Sequence, residues 1–112
     1  MPASYAATDE TRRFVQDTFV FDCLQLFYTL EDKWAERCLA AGVNAANVTI
    51  GAENDWDDMV RRIDQGLETI ARSPFLMLAT CRADIDEARA RGKLAVIMGT
   101  QGSSMIDAGF HN

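Results

Sequence analysis

Apolar residues recur in two rhythms along the chain, and the rhythms alternate. Phe19-Val20-Phe21, Ala45-Ala46-Asn47-Val48-Thr49-Ile50, Phe75-Leu76-Met77-Leu78-Ala79 and Leu94-Ala95-Val96-Ile97-Met98 are short apolar runs bounded by turn or capping residues. Their length and composition predict strands over 19–24, 45–50, 75–79 and 94–98. The first is apolar on both faces, the pattern of a parallel strand covered on both sides. Between the runs the spacing becomes helical. Trp56, Met59, Val60, Ile63, Leu67 and Ile70 recur on one stripe behind a cap at Asn54 or Asp55. Acids in the first turn and Arg72 in the last suit the helix dipole, and Ser73-Pro74 ends the helix.

Three more helices are weaker but have boundary signals. Thr8 or Asp9 caps a helix over 9–17, with Phe14, Val15 and Phe19 apolar. Thr29-Leu30-Glu31-Asp32 has capping-box form and predicts a helix carrying Leu30, Trp34, Cys38 and Leu39, stopped by Gly42. A short helix over 82–91 ends at Gly92. The order is therefore αβαβαβαβ. Short connections and strand–helix alternation predict an α/β domain with a parallel sheet and right-handed crossovers. A single domain over 1–112 is expected, with 1–8 and 105–112 loose. The last run, Leu94 to Met98, is expected to leave an open sheet edge.

Composition narrows the partners. Hydrophobic residues make up 48% and charged residues 25% of the chain, which is globular and not disordered. The net charge is -6, without a lysine or arginine cluster beyond Arg12-Arg13 and Arg61-Arg62. An acidic surface repels phosphate backbones, so nucleic acid is not an expected partner. No run approaches the length of a membrane span. The first residues lack the basic start and apolar run of a secretory signal. Cys23, Cys38 and Cys81 are odd in number and widely spaced, so reduced thiols, a cytoplasmic setting and small buried core residues are expected.

In parallel α/β folds chemistry sits where the strands end. Asp22, Leu24 and Leu26 stand two apart, so on a regular strand they share a face. Two leucines there read as barrel-interior packing, and Asp22 as a satisfied structural carboxylate. Gly99-Thr100-Gln101-Gly102-Ser103-Ser104 reads as a turn whose amides could cradle a small polar group. It has neither the Lys of a phosphate loop nor the spacing G-x-G-x-x-G. Asp22, Gln101, Ser103 and Ser104 are the ligand-binding candidates. Asp55, Asp57 and Asp58 lack calcium-loop spacing and read as helix capping. His111 is the only histidine, so the residues themselves support no triad and no zinc cluster.

The ordered set of Phe19-Val20-Phe21-Asp22, Ala40 to Thr49, the Trp56 helix with Arg61-Arg62-Ile63, Ser73-Pro74, and Gly92 to Gly99 resembles the amino-terminal part of the renal (membrane) dipeptidase family of zinc peptidases. The resemblance runs from about Phe14 to about Ser104. It implies the opening βα units of a (β/α)8 barrel of TIM type, here incomplete, since a full barrel takes about 250 residues. It also implies a family chemistry in which two zinc ions activate a water to hydrolyse dipeptides. The family's first strand ends Asp-Gly-His-x-Asp, and a Glu before a Gly bridges the metals. Asp22 matches the leading Asp. Leu24, Leu26 and Gln101 stand where the ligand His, the ligand Asp and the bridging Glu are expected.

The resulting expectation is a dipeptidase-like barrel fragment without its binuclear zinc site, inactive alone, with no catalytic residue assigned. Two other readings remain open. One is a non-catalytic assembly or small-ligand module, completed by a second copy or another chain and able to take a small peptide-like ligand. The other is a flavodoxin-type domain with a ligand at its switch point.

Overall fold

The computed structural model describes residues 6–52 and 54–106. Along it run α1 (Asp9–Asp17), β1 (Phe21–Leu26), a 3-10 turn (Phe27–Leu30), α2 (Asp32–Ala40), β2 (Ala45–Gly51), α3 (Trp56–Arg72), β3 (Leu76–Leu78), α4 (Arg82–Ala90) and β4 (Leu94–Thr100). Every expected element is present, and the strands form one parallel sheet in the order β1-β2-β4-β3. The parallel α/β class with alternating βα units holds. His111 and the tail 107–112 lie outside the described residues, as do residues 1–5 of the expected arm.

Local chemistry explains the boundaries that match. Thr8 caps α1 by accepting from the Thr11 amide, and Asp55 caps α3 by accepting from the Asp58 amide at 2.8 Å. Gly42 (φ +89°) and Gly92 (φ +66°) follow α2 and α4 in the left-handed region where a side chain would be strained. One capping expectation fails. Thr29 does not start a helix: it lies in the 3-10 turn, fully buried, and its hydroxyl donates to Gln25 Oε1 at 3.0 Å. Glu31 takes the cap position of α2, and Asp32 instead accepts from the Ser73 hydroxyl at 2.5 Å, tying α2 to the end of α3.

The sheet order decides which face each helix covers. A right-handed crossover from β2 to β3 passes over β4, and the return from β3 to β4 runs the opposite way. Both can be right-handed only if α3 and α4 lie on opposite faces. Burial follows this parity. Ala46, Val48 and Ile50 of β2, Leu76 of β3, and Leu94 and Val96 of β4 form one core with Leu30, Ala35 and Ile70. Ala45 and Ala95 pack on the other face with Ala79 and with Ala88 of α4. Gly66 is buried in mid-helix because α3 lies close to the sheet there; a Cβ would come within 2.8 Å of Met98 Cε.

Four expectations about the surface change. β4 is not an edge strand: it lies between β2 and β3, so the open edges belong to β1 and to the short β3. β1 is at an edge, not beside the crevice as in a flavodoxin-type sheet, and it is not covered on both sides: Phe21, Leu24 and Leu26 are exposed. On α3 only Met59 and Ile70 of the apolar stripe are buried; Trp56, Val60, Ile63 and Leu67 are exposed because no described element flanks that side. Met105, expected in a loose tail, is buried.

Leu76 and Leu24 test this division. Leu76→Ala is expected to lower unfolding free energy by about 2–5 kcal/mol, as for a packed core leucine. Leu24→Ala is expected to stay within about 0.5 kcal/mol. Urea denaturation of both variants at one low protein concentration measures the contrast.

Candidate functional site

The site begins with a departure from regular pairing. β1 faces β2 with Phe21 opposite Ala45 and Asp22 opposite Ala46, but Gln25 is opposite Val48. Three steps on β1 match two on β2, which is a bulge with one extra residue. Asp22 and Gln25 therefore both join the register of Ala46 and Val48, the face that packs against α2 and α3. The Asp22 carboxylate accepts from the Leu24 amide at 3.0 Å and from the Gln25 side-chain amide, which in turn accepts from Thr29. Both Asp22 carboxylate oxygens are thus engaged within β1.

The bulge overturns the shared face expected for Asp22, Leu24 and Leu26. Leu26 stands opposite Thr49, on the other face from Asp22, because the extra residue shifts the parity between them. Neither leucine packs: Leu24 is 56% and Leu26 44% exposed. The strand also starts and ends two residues later than expected. The Thr18 hydroxyl donates to Phe14 O at 2.6 Å and closes α1, and Val20 N donates to Asn44 Oδ1 at 2.9 Å before pairing starts. Pairing then begins at Phe21 and runs to Leu26, two residues beyond the expected end.

The turn after β4 is stitched to the end of β2. Gly99 and Thr100 still belong to the strand, so the turn proper begins at Gln101. Gln101 N donates to Gly51 O at 2.9 Å. The Ser104 hydroxyl lies 3.1 Å from Ala52 O and 3.4 Å from Asn54 O, so its proton serves the backbone. Gln101 and Ser103 are exposed. Leu24, Leu26 and Gln101 all lie toward the C-terminal edge of the sheet. Asp22 is not brought to Gln101: β2 lies between β1 and β4, Asp22 is level with Val96 of β4, five residues before Gln101, and Asp22 faces the helices.

Sequence reasoning missed the polar residues of β2. Asn47 and Thr49 share a face with Ala45, away from α2 and α3. The Asn47 amide lies against Gly99, where a Cβ would collide with its Oδ1. Two polar residues alternating inside an apolar run were the available signal. Asn54 bridges the Ala52 amide and Asp58, and Asp58 also binds Arg62 Nε at 3.0 Å. The Arg62 hydrogen bond, then Asn54, holds the Asp58 carboxyl below the usual range. The acidic group is thus helix capping plus an ion pair. Among the described residues no group of three His, Cys, Asp or Glu is placed to hold a metal, and no helix is long and apolar enough to cross a membrane.

The cysteines differ from the expectation of three buried core thiols. Cys23 and Cys81 are exposed, because one lies at the bulge of an edge strand and the other at the cap of α4; Cys38 is half-buried. Burial, and then the Asp22 charge, push the Cys38 thiol up.

A solved structure places this arrangement. An amidohydrolase from Pseudomonas aeruginosa superposes with a TM-score of 0.72 over 85% of the chain, at 23% sequence identity. The fold is amidohydrolase-like. The chain corresponds to 29% of the length of that amidohydrolase. No protein-family model matches the sequence, and no curated protein does.

Two measurements check the site chemistry. Asp58 has a depressed folded-state pKa, so its stabilising pairing is complete above the unfolded value near 4 and is lost as pH falls through the folded value. Melting temperature is expected to fall over that acid range, and Asp58→Asn is expected to flatten the fall. With a thiol reagent at neutral pH, Cys81 is expected to react fast and Cys38 slowly, since the thiolate is the nucleophile; mass spectrometry of labelled peptides reads the order.

Proposed function

We propose that the chain is the opening segment of a dipeptidase-like barrel whose binuclear zinc site has been lost, so that it does not hydrolyse dipeptides alone. The observation that supports this most directly is the chemistry at the C-terminal edge of an amidohydrolase-like fold. Leu24 and Leu26 at the end of β1 have no lone pair to give a metal, and Gln101 after β4 is a neutral amide. These are the positions that the dipeptidase resemblance assigns to His, Asp and bridging Glu. The residues present do not fit the metal pair. Three unpaired thiols favour a reducing compartment such as the cytoplasm.

Calorimetric titration tests the reading. The native chain is expected to give no saturable, stoichiometric heat with zinc. The triple variant Leu24→His, Leu26→Asp, Gln101→Glu is expected to gain one bound zinc per chain, because three donors with an open fourth position suffice for the ion. Stoichiometric tight binding by the native chain would overturn the loss of the site. No gain in the folded triple variant would show that these positions are not the family's ligand positions.

A further inference from the structure

We infer that the hollow between the 3-10 turn and α3 is a binding site for a small organic ammonium ion with an apolar body. The cavity has a volume of about 230 Å³. A cavity of roughly 150 Å³ takes a benzene ring, so this one has room for a ring and a short charged arm. Its walls come from segments far apart in the chain: Tyr28, Leu30 and Glu31 on one side, Arg62 and Gln65 of α3 on the other, with Ile50 of β2 between them. Leu30 and Ile50 belong to the main core, so the base of the hollow is held by packing. β2 has β1 on one side and β4 on the other. The hollow therefore lies over the interior of the sheet, between elements of this chain, and not along an open edge.

The chemistry of the lining suits a cation. Phe27, also in the lining, and Tyr28 meet edge to face with centroids 6.4 Å apart, and Trp34 braces Tyr28 at 5.7 Å. The face of an aromatic ring carries negative potential and attracts a cation set against it. Beside the rings stands the Glu31 carboxylate. Glu31 holds the cap position of α2, yet its side chain accepts no amide there. It enters no ion pair among the described residues. The cations nearest in sequence, Lys33 and Arg37, lie over the Trp34 ring instead, at 5.0 and 4.6 Å from its centroid. Arg62 is already engaged, its Nε donating to Asp58 at 3.0 Å. The cavity thus offers ring faces, an apolar base and a carboxylate without a counter-ion. An anion would meet Glu31, and a bare metal ion would leave the apolar base unused. An ammonium group on a hydrocarbon body matches all three.

2-Phenylethylammonium is the probe, with 2-phenylethanol and 3-phenylpropionate as its neutral and anionic counterparts. Titration of the full chain, followed by backbone amide NMR shifts, is expected to show saturable binding of the ammonium at millimolar concentration, as suits so small a ligand. The shifts are expected to gather on residues 27–31 and 62–69. The alcohol is expected to bind about fivefold more weakly, the worth of one exposed ion pair, and the propionate more weakly still. Glu31→Gln is expected to cost the ammonium about fivefold and the alcohol nothing. Tyr28→Leu, which keeps the apolar contact and removes the ring, is expected to cost the ammonium about threefold. Glu87→Gln, a carboxylate change on α4, is expected to cost nothing, and circular dichroism reports the fold of each variant. No saturation up to about 10 mM ammonium would overturn the inference. So would shifts gathered elsewhere, propionate bound as tightly as the ammonium, or equal losses from Glu87→Gln and Glu31→Gln. Leu24, Leu26 and Gln101 are not in the lining, so the outcome stands apart from the zinc titration.

Discussion

The pairing of β2 with β4 is the constraint from which the rest of the structure follows. Ala45 stands opposite Ala95 and Ala46 opposite Val96. On one face the pair presents Ala45 and Ala95 at its buried centre, with Ile97 beside them. The Ala45, Ala79, Ala88 and Ala95 contact lets α4 lie close, because nothing extends beyond the Cβ atoms. On the other face Val48, Ile50, Leu94 and Val96 supply branched side chains that fill the space under α2 and α3. A slip of one residue would exchange the two faces, placing branched residues under α4 and alanines under the larger core. The register is thus held by volume on both sides of the sheet.

The bulge in β1 depends on this frame. β1 is the strand least constrained by packing, with one neighbour and an open edge, and an extra residue there costs little in lost ladder bonds. It aims Asp22 and Gln25 at the helices, where Thr29 completes their hydrogen bonds, and it leaves Leu24 facing solvent. One local irregularity therefore decides that Asp22 and Gln25 share the helix face while Leu26 lies on the other.

Features set by local chemistry were legible in the residues. The cap at Asp55, the stripe ending at Ile70 and the break at Ser73-Pro74 define α3 within the chain itself. β2 is bounded by Gly51 and reads as a strand from its run alone. What was not legible depends on contacts between distant segments. Nothing near Leu94 reveals that its strand enters between β2 and β3. Thr29 has the form of a helix cap, yet Gln25 claims its hydroxyl. Leu24 and Leu26 read as packing residues because alternation assumes a regular strand, and the bulge removes that assumption. Of the ligand candidates, Ser104 became a stitch between two loops, whereas Asn47 passed unnoticed although its polarity inside an apolar run marked it.

Fold likeness and site chemistry therefore answer different questions for this chain. The scaffold is set by the parity of β2 and β4, which many residues enforce at once, so it persists at 23% identity. A metal pair is enforced by a few donors, and it has an electrostatic requirement that packing cannot meet. Two dications bring four positive charges into a confined space, and carboxylates must oppose them. Near the end of β1 the chain has two aliphatic residues, and after β4 a neutral amide. The one carboxylate of β1 points to the opposite face with its oxygens engaged. The register that carries the scaffold therefore places no requirement on which residues stand at these strand ends.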